Sequence, residues 1–185
     1  MKYFLAISAV IFSIGFVTLP VVWGSSGLKE MRQFKFKSTG VAAVSSPVYK
    51  EECGGCHMVY PPGLLPANSW RKMMSTLEDH FGDEAELDAI THQAVSEFLL
   101  TNSADQSDYR RSRKFSRAMQ SDDAPIRISE TPYFKQEHDE ITDRMVAGNA
   151  EVKSFSHCNA CHTKAEQGSF KERDIQIPGY GQWHD

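Results

Sequence analysis

No cysteine of this chain lies outside two five-residue motifs, no phosphate-cradling glycine loop occurs, and no alternating apolar–polar run of useful length is present. The missing loop and the formal net charge of −4 exclude nucleic acid as a partner, because no global basic surface is available for it. The missing alternation leaves a mainly α fold class. A chain of 185 residues with 41% hydrophobic residues suits one compact unit or two small ones, not a large multidomain enzyme.

What is present begins with Met1 and Lys2, followed by an uncharged apolar stretch from Tyr3 to Trp23 that reads as an export segment. Residues 1–24 are therefore expected to be a signal peptide or a retained N-terminal anchor. No Ala-x-Ala site precedes Gly24, and the stretch is long enough to span a bilayer. Lys29, Arg32, Lys35 and Lys37 follow it on the side that the positive-inside rule disfavours for an exported chain, which makes the anchor the more awkward alternative. The expected compartment is the periplasm, with a retained segment acting as an inner-membrane tether.

All four cysteines fall in Cys53-Gly54-Gly55-Cys56-His57 and Cys158-Asn159-Ala160-Cys161-His162. Cys-x-x-Cys-His attaches haem c: two thiols one helical turn apart reach the two vinyl groups, and the next histidine lies under the iron. A thioredoxin-type pair, two export-favoured disulfides or a four-cysteine zinc site would use the cysteines but leave His57 and His162 as coincidences. The cofactors implied are two haem c groups, held by Cys53, Cys56, Cys158 and Cys161, with His57 and His162 as proximal iron ligands.

Between and around the motifs, residues 25–46 read as a flexible lead-in and residues 47–101 as a first haem unit. There Tyr49 to His57 and Ser69 to about His80 are expected helices, and Asp83, with Glu86 three residues on, caps a third whose buried stripe is Leu87, Ile90, Ala94, Val95 and Phe98. Residues 102–123 read as a charged linker, although Arg110, Arg111, Arg113, Lys114 and Arg117 also suit a docking patch or counter-charges to haem propionates. Residues 124–185 form a second, less regular haem unit wrapped by loops. Thr131-Pro132 opens one of its helices, about Ala150 to His162 forms another, and the apolar tail from Phe170 wraps the second haem.

Five histidines remain to supply sixth iron ligands: His80, His92, His138, His157 and His184. His80 lies three residues after Leu77 at the edge of an apolar stripe, and His138 shares a face with Phe134 and Ile141. His92 turns away from its buried stripe, His157 lies on the proximal side of its own motif, and His184 needs a pinned tail. His80 and His138 are therefore the proposed distal ligands, with the haem each serves left open. Methionine is the rival ligand and would raise the potential; Met58, Met73, Met74, Met119 and Met145 read more readily as packing.

Cys53 to Asp88, with CGGCHMVYPPGLLPANSW and then EDHFGDEAELD, resembles the dihaem cytochrome c family abbreviated DHC. PIRISETPYFKQEH and VKSFSHCNACHTKAEQGSFKER extend the resemblance to roughly Pro178. It implies a first unit similar to class I cytochrome c, a less regular second unit, and bis-histidine irons through His80 of the DHF triplet and His138 of the EH pair. It also implies electron exchange with redox partner proteins, a membrane b-type cytochrome and a small oxygen-binding c-type haem protein among them. The function expected is therefore low-potential electron transfer with no catalytic residues; the alternative is a haem enzyme or gas-binding protein with one open iron.

Overall fold

The computed structural model describes residues 40–119 and 122–184. The export or anchor segment and the lead-in up to residue 39 lie outside the described residues. Among those described, no helix is long and apolar enough to cross a membrane.

Six short helices carry the chain: α1 (Pro47–Cys53), α2 (Ala67–Met74), α3 (Ala89–Thr101), α4 (Arg110–Arg117), α5 (Pro132–Glu137) and α6 (Cys158–Cys161). A two-residue antiparallel pair, β1 (Gln176–Ile177) with β2 (Gly181–Gln182), closes the tail. The fold is mainly α, as expected, and helices this short are held by packing and caps more than by propensity.

The caps explain most differences from expectation. Ser46 accepts the amide of Tyr49 to start α1, which ends at Cys53, so His57 lies on the turn beyond it. α2 stops at Met74, where the Ser75 amide meets carbonyls of the last turn, and a 3-10 turn at Leu77–Asp79 leads to His80. α3 is capped by Asp88, whose carboxylate accepts from the Ile90 and Thr91 amides, and not by Asp83. Consequently its buried face is Val95 and Leu99, with Phe98 half-buried, while Ile90 and Ala94 are exposed. Asp83 instead closes a tight turn, exchanging backbone hydrogen bonds with His80.

Residues 40–46 and 102–119 pack against the interior where a lead-in and a linker were expected. Val41 and Val44 are buried, and the Val41 amide donates to the Gly168 carbonyl at 3.0 Å. Gly168 takes φ +76° there, and a Cβ on it would lie 2.3 Å from the Val41 carbonyl oxygen, so only glycine permits this approach. Within 102–123, Ser103, Ala104, Ser107, Ser112 and Phe115 are buried, the last two on the inner side of an amphipathic α4 whose Arg110, Arg113, Lys114 and Arg117 lie on the opposite side. Near the second motif the expected helix from Ala150 shrinks to α6, since Lys153 at φ +66° breaks it.

The apolar interior forms two clusters that share partners. One gathers Tyr49, Leu65, Trp70, Met74, Val95 and Leu99 around α1, α2 and α3. The other joins Val41, Met58 and Leu64 to Phe115, Tyr133, Phe134, Ala165 and Phe170. Tyr60 and Ile128 pack against both. Trp70 donates its indole N–H to the Pro62 carbonyl at 2.8 Å, satisfying the one polar atom that its burial would orphan.

Candidate functional site

Each Cys-x-x-Cys-His motif brings its histidine opposite one of the two histidines singled out on the chain. The rings of His57 and His80 are 6.3 Å apart between centroids, and those of His138 and His162 are 6.0 Å apart. Two metal–imidazole bonds of about 2.0 Å each would fill roughly 4 Å of such a gap, the two ring radii taking up the rest. The spacing therefore fits one iron between each pair.

At the first pair, the residue after α1's turn and the residue after the 3-10 turn meet. His57 donates its Nδ1–H to the Met58 carbonyl, 2.7 Å away, which orients the ring, and it stacks on Tyr60 at 4.7 Å. His80 is carried by the turn His80-Phe81-Gly82-Asp83, in which Phe81 and Gly82 take φ +62° and +102°. Left-handed backbone is unfavourable for phenylalanine. The Arg127 guanidinium, 3.9 Å above the Phe81 ring, holds the strained residue from the far half of the chain. Burial lowers the pKa of His80, with His57 acting in the same direction, which keeps the imidazole neutral and able to ligate.

The second pair lies in an open-mouthed, mainly apolar crevice. Phe134, Phe155, Cys158, Cys161 and Phe170 line it with both histidines, and Ile175, Ile177 and Trp183 of the tail close one side. His138, directly after α5, points Nδ1 at the Phe134 carbonyl at 2.9 Å and stacks on the Phe134 ring at 3.9 Å. Thr131 makes this possible by capping α5 through the Phe134 amide. Burial lowers the His138 pKa, and burial with His138 and Arg111 nearby pushes His162 down to about 4. Burial also pushes the Cys53 and Cys158 thiols up to about 11 and raises Cys161, as apolar crevices do.

The remaining histidines have other partners. His92 meets the Met74 carbonyl through Nε2 at 2.8 Å, His157 meets the Val152 carbonyl through Nδ1 at 2.7 Å, and exposed His184 faces Glu172. Met58, Met73 and Met74 pack in the two clusters, whereas Met145 lines the second crevice. No three His, Cys, Asp or Glu side chains converge among the described residues, so the four cysteines are not pooled for zinc.

Sequence reasoning missed two residues of these sites. Arg111 lines the second crevice, with its guanidinium on the Tyr133 hydroxyl, Glu137 and the Phe170 carbonyl at 3.1, 3.2 and 3.0 Å. Only the position of α4 reveals this, although the propionate reading of the basic cluster pointed near it. Tyr60 stacks on His57 and donates its hydroxyl to the Ser156 carbonyl at 2.6 Å, joining the first motif to the approach of the second. No sequence signal spans those 96 residues.

A mainly α chain with two haem-attachment motifs, each facing a further histidine, defines the class of multihaem c-type cytochromes. The chain belongs to the dihaem cytochrome c family, whose model matches residues 49–170 and so takes in both motifs, His80 and His138. It is similar to the X-ray structure of the dihaem cytochrome c of Shewanella baltica OS155, with 40% identity, a TM-score of 0.63, and coverage of 75% of this chain and 97% of that one. The dihaem cytochrome c from Rhodobacter sphaeroides gives 42% identity and a TM-score of 0.63, covering 70% of this chain and 100% of that one. No curated protein matches the chain. The protein is thus a dihaem cytochrome c with two haem c groups, and electron transport is its general role.

Proposed function

We propose that this protein is a low-potential electron carrier of the periplasm in which both irons are bis-histidine, His57 with His80 and His162 with His138. The observation that carries this reading is the pair of facing imidazoles at 6.3 and 6.0 Å. An iron with both axial positions filled has no room for a substrate, so the protein's work is to set potentials and dock partners. Two imidazoles in place of imidazole and methionine hold the potential low. Neutral His80, His138 and His162 need no deprotonation to ligate at pH 7, which supports the same reading.

The N-terminal apolar stretch supports export, either as a cleaved signal or as a membrane tether. The partners proposed are redox proteins, including a membrane b-type cytochrome as donor and a small oxygen-binding c-type haem protein. Intact mass of the purified protein should exceed the polypeptide by two haems. The dithionite-reduced protein should not bind carbon monoxide at neutral pH, and both midpoint potentials should be negative. Ready carbon monoxide binding at either haem would instead assign an open iron and a gas-binding or enzymatic role.

A further inference from the structure

We propose that the outer face of α4 is the docking surface for a redox partner protein with an acidic surface, and that electrons cross it to or from the second haem; this rests on the electron-carrier reading above. Arg110, Arg113, Lys114 and Arg117 follow helical spacing on one side of α4, opposite buried Ser112 and Phe115. With Arg111, the helix holds five cations and no carboxylate in eight residues, in a chain of net charge −4.

The usual reading of a charge run is a solvated helix face, but such faces interleave signs to gain i,i+4 pairs. This one repeats like charges at that spacing, which destabilises a helix, so the pattern opposes stability. Among the described residues, Asp108 pairs with Arg113 at 3.5 Å, and Glu137 is shared by Arg111 and Lys114 at 3.2 and 4.0 Å. They leave the face net positive. Its position fits electron transfer: Arg111 and Phe115 line the second crevice, Lys114 lies 5.1 Å from the Tyr133 ring, and Glu137 precedes His138. Electrostatic attraction at such a face raises the association rate and falls with salt.

The test is stopped-flow reduction of the oxidised full-length holo-protein by reduced flavodoxin, a strongly acidic one-electron donor, with neutral reduced lumiflavin as control. The R110E/R113E/R117E variant should react with flavodoxin about tenfold or more slowly at low ionic strength, with the gap closing as salt is added. Its lumiflavin rate and low-spin spectrum should match the native protein. The milder R110Q/R117Q variant should show a smaller loss of the same kind. Equal flavodoxin rates for native and variant proteins would overturn the proposal. So would loss of binding to phosphatidylglycerol vesicles with no change in rate, which would make the face a membrane contact. Carbon monoxide binding to the native protein would instead count against the electron-carrier reading, a result readable apart from these rates.

Discussion

At the scale of single residues, the potentials are governed by what faces each imidazole pair. Arg111 is a half-buried cation of the second crevice, and its hydrogen bonds to the Tyr133 hydroxyl, Glu137 and the Phe170 carbonyl hold its charge in place there. A fixed cation disfavours the ferric state, which carries the extra positive charge. Arg111→Gln should therefore lower the second haem's potential by roughly 30–60 mV, half to one power of ten for a one-electron couple. Glu137→Gln should move it the other way. Potentiometric titration should show one of the two midpoints moving and the other staying. The six motif residues were legible because Cys-x-x-Cys-His is a chemical requirement written within five positions. His80 and His138 stand out in the sequence as histidines at the edge of apolar stripes, and the structure brings them opposite His57 and His162, whereas Arg111 and Tyr60 act across distances that no local pattern encodes.

At the scale of elements, caps and burial decide what charge patterning leaves ambiguous. A basic run reads as a linker until Phe115 is seen 4% exposed and edge-on to Tyr133 at 4.9 Å. Phe115→Ala should cost about 3–5 kcal/mol in denaturant unfolding, the range for a buried phenylalanine, whereas a solvated linker would register almost nothing. α3 was legible as a helix but not in its start, because Asp83 and Asp88 offer the same chemistry and only the tight turn at His80 separates them. Asp88→Ala should lower the urea midpoint through loss of this N-cap.

α2 begins after Pro66, which supplies no side-chain cap. Its Ala67 amide is accepted instead by Asp105, which also takes the Ser103 hydroxyl, both at 2.8 Å. Burial pushes the Asp105 pKa up, but these hydrogen bonds outweigh it and hold the carboxyl below its ordinary value. A carboxyl depressed in the folded state contributes stability above its unfolded pKa near 4 and loses it as pH falls through the lower folded value. Urea midpoints measured from pH 7 down to pH 2 should fall less steeply below pH 4 for Asp105→Asn than for the native protein.

At the scale of the molecule, the two apolar clusters share Tyr60 and Ile128, so the segments around the two motifs are not independent modules. Tyr60 contributes to both clusters, stacks on His57, and is fixed at both ends: Tyr49 donates its hydroxyl to the Tyr60 carbonyl at 3.0 Å, and Tyr60 donates to Ser156. The mainly α fold class was legible in the sequence. The packing of the 102–123 segment was not, since it depends on which apolar residues of distant segments meet. On the proposed bis-histidine ligation, each ferric haem would add two propionate charges against one net positive iron core, making the holo-protein about two charges more negative than the formal −4 and leaving the basic face of α4 more isolated still.

The central claim is that each iron is held by two imidazoles, and near-infrared magnetic circular dichroism of the oxidised full-length holo-protein tests it most directly. Two low-spin ferric haems, both with the charge-transfer band of bis-imidazole ligation, are the expected result. A methionine–iron band, which Met145 in the second crevice is placed to give, or a high-spin component at either haem, would contradict it.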